Sequence, residues 1–210
     1  SKIKKEENVN SNLKLSISDK KVQVLLMFAG VFCCIAMSMP QVHIVPLCID
    51  NGFGLAVGTE ILSFMLFAAV TSRVLFGLLS DKIGPIQTLI LGSTLQAISL
   101  SMFLPFNSQI SLYIVAICFG LSQGGIVPIY AVIISKFLPE NEVAERVGLL
   151  IFATIIGMSL GGWLSGLIYD YTNSYQMAFL NGIFWNLVNL SIMVYLFLKY
   201  QQSIKRVVEI

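Results

Sequence analysis

Six long apolar runs, separated by short polar connectors, constrain this chain more than any other feature of its sequence. Each run is near or above the roughly 20 helical residues that cross the hydrocarbon core of a bilayer. Because lipid offers no partner to backbone polar groups, runs of this length are predicted to be helices rather than strands. We therefore predict an all-α membrane protein with six transmembrane helices, roughly Val22–Cys48, Ala56–Ser80, Ile86–Phe103, Ile110–Leu138, Val147–Ile168 and Met177–Leu198.

The composition supports this fold class and excludes a soluble domain. Only 11% of the residues are charged and 56% are hydrophobic, whereas soluble domains carry roughly 25% charged residues. The cysteines all lie in apolar stretches without the spacing of a zinc motif, which predicts core residues rather than disulfides or a metal site. The lipid bilayer is thus the first predicted partner, and we expect no metal, no cofactor and no nucleic acid. The four cysteines are Cys33, Cys34, Cys48 and Cys118.

The basic residues mark one side of the six spans. Lysines and arginines precede the first span, follow the sixth, and flank the second and fourth connectors, whereas the other three connectors hold none. The positive-inside rule therefore predicts that both termini are cytoplasmic. We expect a multi-pass protein of the cell membrane, most simply a bacterial inner membrane. The chain divides into a cytoplasmic segment at 1–21, a six-helix unit at 22–200 and a cytoplasmic tail at 201–210.

Two further patterns predict a tightly packed bundle. Small residues four apart let helices approach closely in lipid, and amide side chains inside a span usually join neighbouring helices. These patterns report packing rather than a particular function. The small-residue pairs are Gly120 with Gly124, Gly157 with Gly161, and Gly162 with Gly166, and the amides are Asn181, Asn186 and Asn189.

Arg73 is the one cation that lies well inside a span. It precedes Asp81 by eight residues, which places it roughly 12 Å from the end of the second span. A charge at that depth normally faces a cavity or a partner, and a guanidinium can bind a carboxylate through two parallel hydrogen bonds. Arg73 is therefore a candidate anion-binding residue. The alternatives are that it reaches the interface through its long side chain, or pairs with Asp81.

Three other residues are candidates for contact with a substrate or a proton. His43, the single histidine, lies between Pro40 and Pro46, and such closely spaced prolines are tolerated where a helix lines a cavity. Tyr130 follows a stretch of glycines and a proline in the fourth span, which favours a helix beside a water-filled path. Asp50 ends the first span and could exchange a proton. The plainer alternatives are a histidine satisfied inside the bundle, a packing tyrosine and an exposed turn acid.

The second connector carries the pattern that points to a family. Residues 73–84 resemble the loop signature of the major facilitator superfamily, of general form G-x-L-a-D-r-x-G, through Gly77, Asp81, Lys82 and Gly84. In twelve-helix transporters this signature follows the second and eighth helices. The stretches 120–128, 146–170 and 175–189 look like the tenth to twelfth helices of the bacterial branch related to monocarboxylate transporters and oxalate/formate antiporters.

The resemblance implies half of a transporter. The chain would be the C-terminal six-helix half, a 3+3 inverted repeat, with residues 1–21 as the tail of the central cytoplasmic loop and an N-terminal six-helix half as its missing partner. The chain begins at Ser1 rather than Met, which agrees with a fragment. The signature residues Gly77, Asp81, Lys82 and Gly84 would form a gating loop.

The resemblance also implies roles for individual residues. In monocarboxylate transporters an arginine four residues before the signature glycine binds the substrate carboxylate, and Arg73 has that spacing from Gly77. An aspartate one turn earlier couples protons in some members, but this chain has Ala69 there. Bacterial relatives can place an acid at the end of the seventh helix instead, and Asp50 matches that place, so the resemblance makes it the proton-coupling candidate. No lysine lies in the fifth span, which argues against a dicarboxylate that needs two cations.

The sequence therefore predicts secondary active transport of a small organic anion, favouring a monocarboxylate, by alternating access. Arg73 would bind the carboxylate, with His43 and Tyr130 lining the cavity. One alternative is a stand-alone six-helix protein acting as a homodimer or a non-transporting sensor. A remoter alternative is an intramembrane enzyme, but no serine motif stands opposite His43, and no enzyme activity is expected.

Overall fold

The computed structural model describes residues 17–105 and 108–208, and almost all of them are helical. The helix bounds agree with the predicted spans to within a few residues, except that the last helix continues well past the end of the sixth predicted span. Most of the predicted cytoplasmic segment 1–21, and the end of the tail 201–210, lie outside the described residues. The helices are α1 (Asp19–Asp50), α2 (Gly54–Ile83), α3 (Pro85–Met102), α4 (Gln109–Gln123), α5 (Ile126–Phe137), α6 (Val143–Thr172) and α7 (Tyr175–Val208).

These helices form six spans, because α4 and α5 together make a single crossing of 29 residues. By length and composition, five crossings in the described part of the chain are apolar enough to span a membrane. The remaining helix, α3, has 18 residues and carries Gln87 and Gln96, and it is the shortest crossing of the bundle. The predicted six-helix membrane fold is confirmed.

The helices form two three-helix units: one is α1, α2 and α3, and the other is the α4–α5 crossing, α6 and α7. Each unit packs on the other, and α1, the first helix of its unit, packs mainly on α6, the second helix of the other unit. In the equivalent way α2 packs mainly on α4, and the third helices, α3 and α7, pack on each other. This reciprocal pattern is what a 3+3 repeat produces, since an operation that exchanges the units maps each interface onto its counterpart.

Glycine pairs lie at both of the equivalent interfaces. A Cβ built on Gly124 would lie 2.1 Å from the carbonyl oxygen of Ala69 on α2. On the other side, a Cβ on Gly157 would lie 2.5 Å from the carbonyl oxygen of Val31 on α1. Both distances are far below van der Waals contact, so these glycines allow backbones to touch as the small-residue pattern predicts.

Two hydrophobic clusters divide the bundle into two ends. One includes Val22, Ile86, Phe137 and Leu196, and the other includes Leu47, Ile61, Phe103 and Phe179. We call the first the basic end, because five lysines lie within four residues of its members in the sequence: Lys20, Lys21, Lys82, Lys136 and Lys199. We call the second the acidic end, because Asp50, Glu60 and Asp170 lie next to its residues.

Candidate functional site

A cleft of about 370 Å³ opens midway along the bundle between α1, α2, the junction of α4 with α5, and α6. Helices from both three-helix units contribute to it, and Arg73 is the charged residue among those that line it. Most of the other lining side chains are aliphatic or belong to methionines. The lining residues are Met37, Gln41, Leu66, Ala69, Val70, Arg73, Gln123, Gly124, Val127, Thr154 and Met158.

Arg73 has no acidic partner within residues 17–105 and 108–208. The ion pair found there joins Arg146 to Glu142 at 2.5 Å, one turn apart on the rim of the basic end. The pairing of Arg73 with Asp81 that the sequence left open is not formed in this part of the chain. A guanidinium beside an apolar wall, without a carboxylate of its own, is available to an anion that enters the cleft.

The span that lines the cleft opposite Arg73 is broken at Gly124 and Gly125. In a continuous helix the Gly125 N–H would donate to the Leu121 carbonyl, but here the Ser72 hydroxyl stands between them. It donates to the Leu121 carbonyl at 2.7 Å and accepts from the Gly125 N–H at 3.2 Å. The freed backbone groups are thus satisfied by a neighbouring helix, as non-helical backbone at membrane depth requires.

This break ties the cleft walls together. Ser72 directly precedes Arg73 on α2, so the turn that presents the guanidinium also holds the α4–α5 junction. Glycines at the junction allow α2 to pack closely against it, since a Cβ on Gly125 would lie 2.3 Å from the side chain of Phe76 on α2. The two glycines followed by Pro128, from which the sequence predicted a helix beside a water-filled path, lie at this junction, where Gly124 and Val127 line the cleft.

Tyr130 lies outside the cleft. It is fully buried, and its hydroxyl donates to Asn189 Oδ1 at 2.7 Å. Asn189 Nδ2 in turn donates to the Ser93 hydroxyl at 2.9 Å, so the tyrosine belongs to a polar network that joins α5, α7 and α3. The substrate contact predicted for Tyr130 stays a prediction, and its hydroxyl is committed to a structural bond here.

His43 is likewise absent from the cleft lining. Its Nε2 lies 3.2 Å from the carbonyl oxygen of Gly162 on α6, and its ring is 6.3 Å from that of Tyr175. The histidine is half-buried between α1 and α6, toward the acidic end. The structure does not bring it together with Arg73, and its predicted contact with substrate stays a prediction.

Asp50 joins three helices at the acidic end. Its Oδ2 accepts hydrogen bonds from the Tyr169 hydroxyl at 2.6 Å and from the Tyr175 hydroxyl at 3.1 Å. The end of α1 is thereby tied to the end of α6 and the start of α7. Bonds to an ionised carboxylate are stronger than neutral ones, so the charge of Asp50 strengthens this clamp.

The loop-signature residues form the turn between α2 and α3 at the basic end. Gly84 has φ +93°, a conformation that favours glycine, and it links the two helices directly. Asp81 and Lys82 are exposed. A Cβ on Gly77 would meet no atom within 4 Å among the described residues, so this glycine makes no close helix contact within them.

Sequence reasoning missed three polar residues near the cleft. Gln41 and Gln123 line it, and Ser72 sets the junction beside it. Their signal is weak because a single serine or glutamine in a span is common and usually joins helices. Only the rotation of each helix, which the packing sets, shows which of these side chains face the cleft.

The described residues contain no group of three histidine, cysteine, aspartate or glutamate side chains that could hold a metal ion. The cysteines Cys33, Cys34 and Cys48 are buried and Cys118 is half-buried, and all four are free thiols. The core role predicted from their apolar surroundings agrees with this placement.

The fold and the cleft define a multi-pass helical membrane protein built from two three-helix units, with a cleft between them in which Arg73 is the charged residue of the described lining. The model of the Major Facilitator Superfamily matches residues 26–208, and the chain belongs to this superfamily of transporters. The family resemblance seen in the loop signature is confirmed.

Similar curated proteins carry transporter names. Monocarboxylate transporter 13 of Rattus norvegicus is 28% identical over 143 residues, which are 67% of this chain and 33% of that protein. The MFS-type transporter opdF of Penicillium oxalicum is 29% identical over 157 residues, covering 71% of this chain and 37% of that protein. The Escherichia coli MFS-type transporter YhjX is 25% identical over 92 residues, or 43% and 23% of the two chains. The chain spans about a third of the length of the first relatives it matches.

Proposed function

We propose that this chain forms part of a secondary active transporter that moves a small organic anion, a monocarboxylate, across the membrane by alternating access. The observation that carries the proposal is Arg73, which lines the central cleft without an acidic partner among the described residues. Family membership supports transport, and two relatives named as monocarboxylate transporters support the class of substrate.

The chemistry of the cleft supports an anion with one carboxylate. Arg73 is the charged residue of the described lining, so it can neutralise one negative charge and leaves a second without a partner. A guanidinium matches a carboxylate in shape and can bind it through two parallel hydrogen bonds. The aliphatic lining accommodates a short hydrocarbon group but offers little to a highly hydroxylated substrate.

A second six-helix unit is part of the proposal. Superfamily transporters hold substrate between two such units, and this chain matches about a third of its relatives' length. Many large apolar side chains of α2 and α6 are exposed, including Phe67 at 73% and Phe152 at 62%. Such surfaces are suited either to lipid or to the partner unit.

Asp50 is proposed as the proton-coupling residue. Its carboxylate holds the ends of α1, α6 and α7 together through two tyrosine hydroxyls. Protonation would remove the charge that strengthens these bonds and so favour separation of the helices at the acidic end. We propose that this end faces the outside and the basic end the cytoplasm, in line with the positive-inside rule.

The test is uptake of a substrate panel by cells that express the full-length gene product. The panel comprises a short monocarboxylate, its neutral amide and a dicarboxylate of similar size. We expect uptake of the monocarboxylate alone, and its loss in Arg73→Ala. Lys136→Ala, which removes an exposed cation at the basic end, is the matched control and should transport normally. Equal uptake by wild type and Arg73→Ala would contradict the proposal.

A further inference from the structure

A groove of about 470 Å³ lies between α1 and α7 at the basic end of the bundle. It shares no lining residue with the central cleft. The groove is lined by Lys20, Lys21, Val24, Leu25 and Tyr195. Because the two lysines belong to the first turn of α1, the charges lie toward the outer end of the groove and the apolar side chains of α1 lie deeper.

The two helix segments beside this groove carry more basic than acidic charge. Lys20 and Lys21 are exposed, and Lys199 of α7 places its Nζ 5.6 Å from the centre of the Tyr195 ring. None of these lysines forms an ion pair in the described part of the chain. Asp19, which is half-buried, is the one acid within four residues of any of them. Three cations therefore accompany one carboxylate, a balance that favours an anionic ligand.

The apolar wall continues deeper along α1. Val24 also lines a neighbouring groove of about 310 Å³ between α1 and α6, whose lining is entirely apolar. The last residue of α1 in that lining, Val31, lies ten residues after Lys21, which is roughly 15 Å along the helix. That length is about half the thickness of the hydrocarbon core, or one leaflet. The lining residues of this neighbouring groove are Val24, Met27, Phe28, Val31, Ala153 and Ile156.

The arrangement matches one kind of ligand, a phospholipid with a negative headgroup. A free phosphate would contact only the lysines, and an uncharged lipid would use only the apolar path. Basic pockets between transmembrane helices bind anionic headgroups, and a tyrosine such as Tyr195 is suited to the level where headgroup meets hydrocarbon. The lysines and the apolar path together therefore fit both parts of an anionic phospholipid.

We propose that Lys20 and Lys21 bind the phosphate of an anionic phospholipid, such as phosphatidylglycerol, whose acyl chain lies in the two grooves along α1. Lys199 adds its charge at the edge of this lipid site. The site goes beyond the proposed transport function, because neither Arg73 nor any other residue of the central cleft takes part in it.

The experiment measures apparent Kd for lipids by native mass spectrometry of the full-length gene product in detergent. We expect wild type to bind phosphatidylglycerol about tenfold or more tightly than zwitterionic phosphatidylcholine. Glycerol 3-phosphate, which has the phosphate without the chains, should not compete at equal concentration. When Lys20→Gln and Lys21→Gln are combined, affinity for phosphatidylglycerol should fall about tenfold or more, and affinity for phosphatidylcholine should not change.

Lys136→Gln combined with Lys205→Gln is the matched control. This pair also removes two exposed cations on the same side of the bundle, but neither residue lines the groove. Its affinity for phosphatidylglycerol should stay within about twofold of the wild-type value, because distant exposed charges are screened by salt.

Val24→Trp tests the apolar part of the site, since it adds bulk where the two grooves meet and leaves the charge unchanged. We expect affinity for phosphatidylglycerol to fall about fivefold or more, because the acyl chain loses buried contact area. Val132→Trp adds the same bulk at another exposed valine, on α5, and should bind the lipid as wild type does.

Several outcomes would overturn the lipid site. One is equal affinity for phosphatidylglycerol in wild type and the Lys20/Lys21 double variant, and another is an equal loss in the control pair, which would indicate general attraction to a basic surface. Equal binding of both lipids by wild type, or displacement by glycerol 3-phosphate, would also contradict it. Arg73→Ala should bind the lipid normally, so failure of this site leaves the proposed transport function in place.

Discussion

At the scale of single residues, burial separates the candidates that share a chemistry. Arg73 and Tyr130 both offer donors to an anion, and both lie in the interior half of a span. Arg73 lines the cleft without an acidic partner among the described residues, whereas the Tyr130 hydroxyl is bonded to Asn189 in the core. The sequence predicted both as substrate contacts because it reveals residue type and depth but not the direction in which a side chain points.

Tyr130→Phe tests this distinction. Removal of the hydroxyl leaves Asn189 Oδ1 without its donor, which should lower stability by about 1–3 kcal/mol and reduce the melting temperature in detergent. Apparent KM for the transported anion should not change. Tyr195→Phe is the control, since Tyr195 is exposed and should alter neither quantity. A large rise in KM without loss of stability would support the substrate contact predicted from the sequence.

The second residue-scale prediction concerns Asp50. Asp50→Asn keeps an acceptor for Tyr169 and Tyr175 but removes the charge and the exchangeable proton. We expect it to abolish accumulation driven by a pH gradient while leaving exchange of substrate for substrate intact. Glu60→Gln is a closely matched control, because Glu60 is another acid of the acidic end that accepts from a tyrosine, Tyr113, at 2.7 Å.

Retained gradient-driven accumulation in Asp50→Asn would remove this aspartate from the coupling mechanism. Loss of accumulation in both variants would instead indicate a general requirement for acids at this end of the bundle. Measurements in vesicles with an imposed pH gradient distinguish these results directly.

At the scale of helices, glycine spacing predicted which helix faces pack closely but not which neighbouring helix each face contacts. The pairs four residues apart in the fourth and fifth spans do contact other helices, at Met65 and Ala69 for one pair and at Val31 and Ile35 for the other. Which helix they would meet could not be read from the spacing, since the same pattern suits any close neighbour. The sequence predicted one continuous span at 110–138, so neither the break at Gly124 and Gly125 nor the serine that fills it was predicted.

Gly124→Ala tests the closest of these contacts. The added methyl group would overlap the backbone of Ala69, which cannot move without shifting α2. We expect overpacking to lower stability by about 1–3 kcal/mol and to reduce transport, because Arg73 and Gln123 flank this contact. Gly148→Ala is the control, since a Cβ there meets no described atom within 4 Å. Thermal unfolding of the purified variants is the measurement, and equal stability would contradict the packing.

At the scale of the whole molecule, the charge pattern and the fold agree. The sequence placed the basic stretches on one side of the membrane, and the structure gathers the described lysines at one end of the bundle. Hydropathy also gave the number of crossings, because crossing lipid demands long apolar helices. It could not give the exchange of partners between the two units, which depends on contacts far apart in the sequence.

The orientation can be tested by labelling single cysteines from outside the cell. With the four native cysteines replaced by alanine, Asn51→Cys lies at the acidic end and Asn141→Cys at the basic end, and both positions are exposed. A membrane-impermeant thiol reagent should label Asn51→Cys in intact cells and Asn141→Cys only after the membrane is opened. The reverse pattern would contradict the assignment of the basic end to the cytoplasm.

The central claim is that Arg73 binds the carboxylate of the transported anion, and uptake by proteoliposomes tests it most directly. Reconstituted Arg73→Ala should lose about tenfold or more in apparent affinity for the monocarboxylate, because no other charged group lines the described cleft. Arg73→Lys should fall between Arg73→Ala and wild type, since it keeps the charge but not the two-pronged geometry. Uptake by Arg73→Ala with the affinity and rate of wild type would contradict the account.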